Sequence, residues 1–392
     1  MREYLLVFLV GAAATYLATV LAREVAIRTG AVARVRDRDV HAVPIPYFGG
    51  VAMLVGIVAA YLVARQLPFL SYRGSEQMFD SARTVIIAGA MICVVGVLDD
   101  LFEIDPLMKL GGQVLVAGYL VLQNVQFFFF PGPGGTVFAM DGTQGAVLTV
   151  IIVVLTVNAV NFVDGLDGLA AGVIGIGALA FFWFCYQLTR VNGETLATTG
   201  ALLSVMLAGA CLGFLGHNFH PARLFMGDSG SMLLGLMLAA SAITLTGQFS
   251  SAQIASGADG GPASLVPTLL PLLLPVGIMI VPLSDFALAV VRRLWRGQSP
   301  LKADKQHLHH RLLELGHSHR RAVGVMWMWA ALIGFGVVVM SLYSGRAVAV
   351  GIVVAAVATV AVTFVVRQTK EGIDAPEDDP EDAPGSGAAE TL

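Results

Sequence analysis

Eleven stretches of almost unbroken apolar side chains run through this sequence, near residues 3–22, 48–64, 84–98, 107–123, 146–160, 169–188, 198–216, 230–246, 265–291, 322–342 and 347–366. Each approaches the roughly 17–25 residues that a helix needs to cross a bilayer core. The runs occupy nearly the whole length, so a soluble enzyme with a single anchor is excluded. Composition agrees: 56% of residues are hydrophobic and only 13% charged, against about 25% charged in soluble domains, and mean hydropathy is +0.78. The expected fold is an all-α polytopic membrane protein of about eleven spans.

Charge sets the expected orientation. One arginine, Arg2, precedes the first run, whereas Arg23, Arg28, Arg34, Arg36 and Arg38 follow it, the pattern of an uncleaved anchor rather than a signal peptide. Seventeen of the twenty-three Lys and Arg fall on the odd-numbered loops and the C-terminus. The positive-inside rule then puts those loops in the cytoplasm, the N-terminus outside and the C-terminus inside. Residues 1–370 form the expected membrane domain. The acidic, Pro- and Gly-rich stretch 371–392 reads as a disordered cytoplasmic tail. Net charge is −4, which gives no reason to expect a nucleic-acid partner. Cys93, Cys185 and Cys211 lie inside apolar runs at no metal-ligand spacing and read as buried small hydrophobes. Phe127–Phe130 followed by Pro131–Gly135 suits a packed hairpin at the outer interface.

Ionisable groups beside hydrocarbon cost about 2.5–3.5 kcal/mol each, so their positions are informative. They collect on the loops assigned to the cytoplasm. Asp99 and Asp100 close the third run, and Asn158, Asn161, Asp164 and Asp167 occupy the fifth loop. Asp228 opens the eighth run, and His307, His309, His310 and Arg311 lie in the ninth loop. Adjacent carboxylates repel unless a cation compensates. Asn161, Asp164 and Asp167 recur at three-residue steps and are expected to share a helical face. An aspartate at a helix N-terminus is an ordinary cap or, where phosphate also gathers, a metal ligand. Histidines with Lys302, Lys305 and Arg311 nearby suit an anion better than zinc, since no paired zinc motif accompanies them.

These segments, DDLFEIDPLMKLGGQ from Asp99, NAVNFVDGLDGLAAG from Asn158, LFMGDSGS from Leu224 and ADKQHLHHRLLELG from Ala303, with HAVPIPYFGG from His41 ahead of them, resemble in their order the polyprenyl-phosphate N-acetylhexosamine-1-phosphate transferases, a family of integral membrane enzymes. Within that family, HLHHR is similar to the GlcNAc-1-phosphate branch, whereas the phospho-MurNAc-pentapeptide branch carries three consecutive histidines here. The resemblance implies transfer of GlcNAc-1-phosphate from UDP-GlcNAc to a polyprenyl phosphate in the bacterial cytoplasmic membrane. UMP leaves, and the product feeds a cell-envelope polysaccharide.

The same resemblance implies Mg²⁺, with Mn²⁺ as a substitute, held by Asp228 and Asn161. It implies a catalytic set of Asp99, Asp100 and Asp164, in which the acidic pair orients or deprotonates the lipid phosphate. Asp167 and Phe225 would hold uracil, Lys109 the lipid phosphate, and His309, His310 and Arg311 the sugar diphosphate, with His41 in the first loop. Relatives suggest a homodimer. Direct displacement and a route through an aspartyl phosphate both fit the sequence. The alternatives are the pentapeptide branch and, in another class, a secondary transporter of an anionic solute. The transporter needs ionisable residues at mid-membrane and an internal repeat; only Pro271, Pro275 and Pro282 in the ninth run point that way.

Overall fold

A computed structural model describes residues 1–32, 45–73, 76–131, 137–192, 197–246, 318–343 and 345–365, with isolated positions 277 and 295. Ten of the eleven expected runs are helical: α1 (Arg2–Thr29), α2 (Gly49–Ala64), α4 (Glu76–Phe102), α5 (Pro106–Leu122), α6 (Gly142–Val163), α7 (Leu169–Asn192), α8 (Ala197–Asn218), α9 (Gly227–Thr246), α10 (His319–Leu342) and α11 (Arg346–Val365). A short α3 (Pro68–Arg73) precedes α4. Eight of these helices are long and apolar enough to cross a membrane, α2 and α5 being shorter. The protein is a polytopic membrane protein. The run at 265–291 with its prolines, the first loop with His41, the ninth loop with His309, His310 and Arg311, and the tail at 371–392 lie outside the described residues.

Local chemistry sets the helix ends. α1 stops at Gly30, whose left-handed backbone (φ 73°) lets Ala31 N–H reach back to Ala26 C=O at 2.9 Å. Asp105 caps α5 by accepting from Leu107 N–H at 2.8 Å, with Pro106 in the first turn. Asp141 and Gln144 form a reciprocal capping box on α6. Between α5 and α6, β1 (Phe129–Pro131) pairs antiparallel with β2 (Val137–Ala139). The aromatic run thus does form a hairpin, a small two-stranded ribbon among the helices of the described residues.

α9 is the hub. It packs against α2, α4, α6 and α8, while α1 packs on α2 and α8, α7 on α8 and α10, and α11 on α10. Of the apolar window of α9, 94% is buried, against 6% for α11. Two glycines allow neighbouring backbones to approach the first turn of α9. A Cβ on Gly96 of α4 would collide with the backbone of Ser229, and one on Gly50 of α2 with that of Gly230. The strand-like segment before α9 is docked as well, because Gly49 and Gly50 N–H donate to Phe225 and Met226 C=O at 3.1 Å each.

Candidate active site

Four helix ends meet at one end of the bundle: the last turns of α4 and α6 and the first turns of α5 and α9. α6 runs to Val163, so Asn158 and Asn161 are helical rather than in a loop. This corrects the expectation that Asn161, Asp164 and Asp167 share one helical face. The helix stops between the first of them and the other two, because Asp164 is its C-cap.

The first turn of α9 presents the Asp228 carboxylate to two partners. Lys109 of α5 ion-pairs with its Oδ2 and also with Asp99 Oδ2 at 2.8 Å, so one ammonium joins two carboxylates. Asn161 Nδ2 donates to Asp228 Oδ1 and to Ser231 Oγ at 2.8 Å. Both oxygens of Asp228 are therefore engaged, while its side chain keeps 28% exposure and remains reachable.

Asp100 faces the same turn from α4 in a different manner. Its Oδ1 accepts from Asp228 N–H at 2.7 Å and its Oδ2 from Ser229 N–H at 3.2 Å. It thus caps the N-terminus of α9 from another helix, satisfying donors that have no partner within α9. Gly227 makes room for this: its φ is +68°, and a Cβ there would stand 2.5 Å from Asp100 Oδ2. Behind the cluster, Gln113 and Asn158 pair their amides, with Asn158 Nδ2 donating to Gln113 Oε1 at 2.6 Å. Asp164 lies just beyond α6. Burial first, then the charges of Asp228, Asp100 and Asp167, raise its pKa to about 8.

A second cluster holds Asp167, which is buried. Its Oδ2 accepts from Ala222 N–H at 3.1 Å and pairs with His220 Nδ1 at 2.8 Å. The ring of His220 stacks on His319 of α10, centroids 4.2 Å apart and 15° from parallel. Arg320 Nε donates to His220 C=O at 3.0 Å, and Trp327 Nε1 to Gly168 C=O at 3.2 Å. Asp167, His220 and His319 carry ligand-type atoms within 4.8 Å of one another. Nearly parallel imidazoles, however, aim their lone pairs side by side rather than at a common point, so Asp167 and His220 form a hydrogen-bonded pair braced by the stacked His319 ring, not a chelate.

The structure therefore brings together Asp99, Asp100, Lys109, Asn161 and Asp228, with Asp164 beside them and Asp167 in the adjoining pair. Phe225 is half-buried in the segment leading into α9, its ring 6.3 Å from that of Tyr47. His220 and His319 escaped the sequence reading. The polar run His217-Asn218-Phe219-His220 just ahead of LFMGDSGS was the available signal.

Residues 82–246 match the model of glycosyl transferase family 4. The chain is 45% identical over 381 residues to the decaprenyl-phosphate N-acetylglucosaminephosphotransferase of Mycolicibacterium smegmatis, covering 96% of this chain and 92% of the relative. It is 47% identical to the Mycobacterium tuberculosis protein of that name, over 92% of this chain and 89% of the relative. A probable undecaprenyl-phosphate N-acetylglucosaminyl 1-phosphate transferase of Bacillus subtilis is 32% identical, over 86% and 83%.

Proposed function

We propose a reaction for this chain from one premise: it belongs to glycosyl transferase family 4. The reaction is transfer of GlcNAc-1-phosphate from UDP-GlcNAc to a polyprenyl phosphate at the cytoplasmic face of a bacterial membrane. An oxygen of the lipid phosphate bonds to the β-phosphorus, the bridging P–O bond breaks, and UMP leaves. The observation that carries this reading is the convergence of Asp99, Lys109, Asn161 and Asp228 from four helices onto one end of the bundle. The names of the relatives support GlcNAc-1-phosphate as the transferred group, and those of the more similar ones favour decaprenyl phosphate as the acceptor.

Both reactants are anions, so the barrier is largely electrostatic and cationic groups must gather where they meet. The residues fit Mg²⁺ or Mn²⁺. An ammonium already bridges two carboxylates, and the donors are hard oxygens. Asp228 would hold the ion with Asn161, once that amide turns its oxygen inward, and the ion supplies charge neutralisation on the donor diphosphate.

The chain's own groups do the rest. Asp100, with both oxygens on backbone N–H groups, fixes where Asp228 stands. A phosphomonoester has a second pKa near 6 and is mostly dianionic at neutral pH, so Asp99 positions the acceptor through Lys109 and need not remove a proton. Asp164 stands beside Asp100 and Asp228 as the third carboxylate of the expected catalytic set. Asp167 and Phe225 take the uracil by hydrogen bonding and stacking. By family resemblance His309, His310 and Arg311 would meet the sugar diphosphate, with His41 as a further candidate of the first loop.

The test is UMP release by the purified protein in detergent with Mg²⁺, decaprenyl or undecaprenyl phosphate, and UDP-GlcNAc, UDP-GalNAc or UDP-MurNAc-pentapeptide. Lipid-dependent release from UDP-GlcNAc alone is expected. Release only from the pentapeptide donor moves the chain to that branch. No release by folded protein from any donor overturns the reading.

A further inference from the structure

We propose that Lys109 is an exchangeable internal counter-ion: it stands in for the divalent cation between Asp99 and Asp228, is displaced when that cation binds, and then serves phosphate. The inference rests on the reading of Asp228 as a cation ligand. It goes further by giving the lysine two opposed effects on the same ion.

The geometry carries the argument. Lys109 Nζ contacts Asp99 Oδ2 and Asp228 Oδ2, one carboxylate from α4 and one from α9. Asp228 Oδ1 accepts from Asn161, so each oxygen of Asp228 already has one partner, and a cation bridging Asp99 Oδ2 and Asp228 Oδ2 needs the position that the ammonium now holds. Of the two partners, the ammonium has the stronger reason to go. A divalent ion beside it adds like-charge repulsion, whereas Asn161 can keep its place by rotating its amide.

Lysine also suits the exchange better than arginine. Its charge is compact and rides on a flexible four-carbon stem, while a guanidinium would grip a carboxylate with a fork. Lys109 lies in the first turn of α5, capped by Asp105, so its backbone is fixed while the side chain can swing. Its side chain and that of Asp99 are only 17% and 12% exposed. An ammonium released there has little water to move into, and an arriving phosphate is its natural partner. The lysine therefore opposes the metal when no phosphate is present and supports it once phosphate has arrived.

The experiment uses the full chain in detergent and Mn²⁺ as the probe, followed by electron paramagnetic resonance. With no substrate, Lys109→Met should bind Mn²⁺ about tenfold more tightly than the native protein. With saturating polyprenyl phosphate the order should reverse. Equal or weaker substrate-free affinity in Lys109→Met, or no Mn²⁺ binding by it at all, overturns the proposal. A reading on the native protein guards against a variant that fails to fold. The chain has four lysines, and Mn²⁺ should raise reductive methylation of Lys109, mapped by mass spectrometry. Unchanged labelling of Lys109 under saturating Mn²⁺ overturns the exchange. Asp228→Asn should abolish Mn²⁺ binding, and native-like binding by it removes the ligand reading and this proposal with it. None of these measurements uses turnover, so the enzymatic reading stands or falls separately on UMP release.

Discussion

Asp228 and Asp167 are two carboxylates at the same end of one bundle, and they are held in opposite ways. Asp228 is gripped by side chains, the ammonium of Lys109 and the amide of Asn161, and remains partly exposed. Asp167 is gripped by Ala222 N–H and a histidine ring that is itself stacked, and its side chain is 2% exposed. Side-chain partners can be traded for a metal or a phosphate at the cost of a rotamer change, whereas a backbone donor cannot leave. The difference separates a carboxylate placed for exchange from one placed to stay still. It also explains why charge is unbalanced around Asp228, where Asp99, Asp100 and Asp164 share the neighbourhood with Lys109.

The largest effect should come from breaking the exchangeable side. Asp228→Asn is expected to lower turnover by about 10²–10³-fold with membrane insertion and folding retained. Native-like turnover at limiting Mg²⁺ would remove the metal role. Next is Gly227→Ala, which puts a Cβ on a backbone at φ +68° and 2.5 Å from Asp100 Oδ2. It should cost about 1–3 kcal/mol in detergent unfolding and reduce turnover by shifting the turn that carries Asp228; an unchanged Tm would show that the turn relaxes.

On the fixed side the expected change is smaller and of another kind. His220→Ala should raise KM for the uridine donor about tenfold with kcat little altered, because Asp167 loses the ring that pairs with its Oδ2. His220→Asn should recover most of this, since its amide can reproduce the Nδ1 contact. A fall in kcat at constant KM would place His220 in the chemistry instead.

The smallest effect concerns Asp164 and pH. Its folded pKa of about 8 stands above the ordinary 3.8, so the folded state binds this proton more tightly than the unfolded chain does. The group's contribution is then most favourable below about pH 4 and declines as pH rises toward 8. Without divalent ions, Asp164→Asn should gain Tm over the native protein between pH 5 and pH 8, and parallel Tm curves would refute the assignment.

The sequence made the helices legible because runs of Val, Ile, Leu and Ala at membrane length have few alternatives. It made Asp99, Asp100, Asn161 and Asp228 visible as costly polar residues on such runs. The pairings were not visible, since Lys109 and Asp228 are 119 residues apart and His220 and Asp167 are 53 apart. Nothing local told the capping carboxylate Asp100 from its neighbour Asp99. Which of them faces α9 is decided by the close passage of Gly96 against Ser229, a packing fact. The polar end of α6, Asn158 and Asn161, reads as a loop because polar residues usually end helices, whereas Asp99 and Asp100 read as the close of α4. Here partners on neighbouring helices let the helix continue to Phe102 and Val163.

The burial of α9 carries a consequence for the bilayer. Lipids press on whatever they touch, and a helix that is 94% enclosed by its own protein touches almost none of them, whereas α11 at 6% is nearly all rim. A thinner or thicker membrane forces tilt or snorkelling on the helices at its boundary at modest cost per ångström. That strain should be spent in α11 and leave the first turn of α9 in register, so the site of Asp228 should be insulated from the thickness of the membrane that houses it.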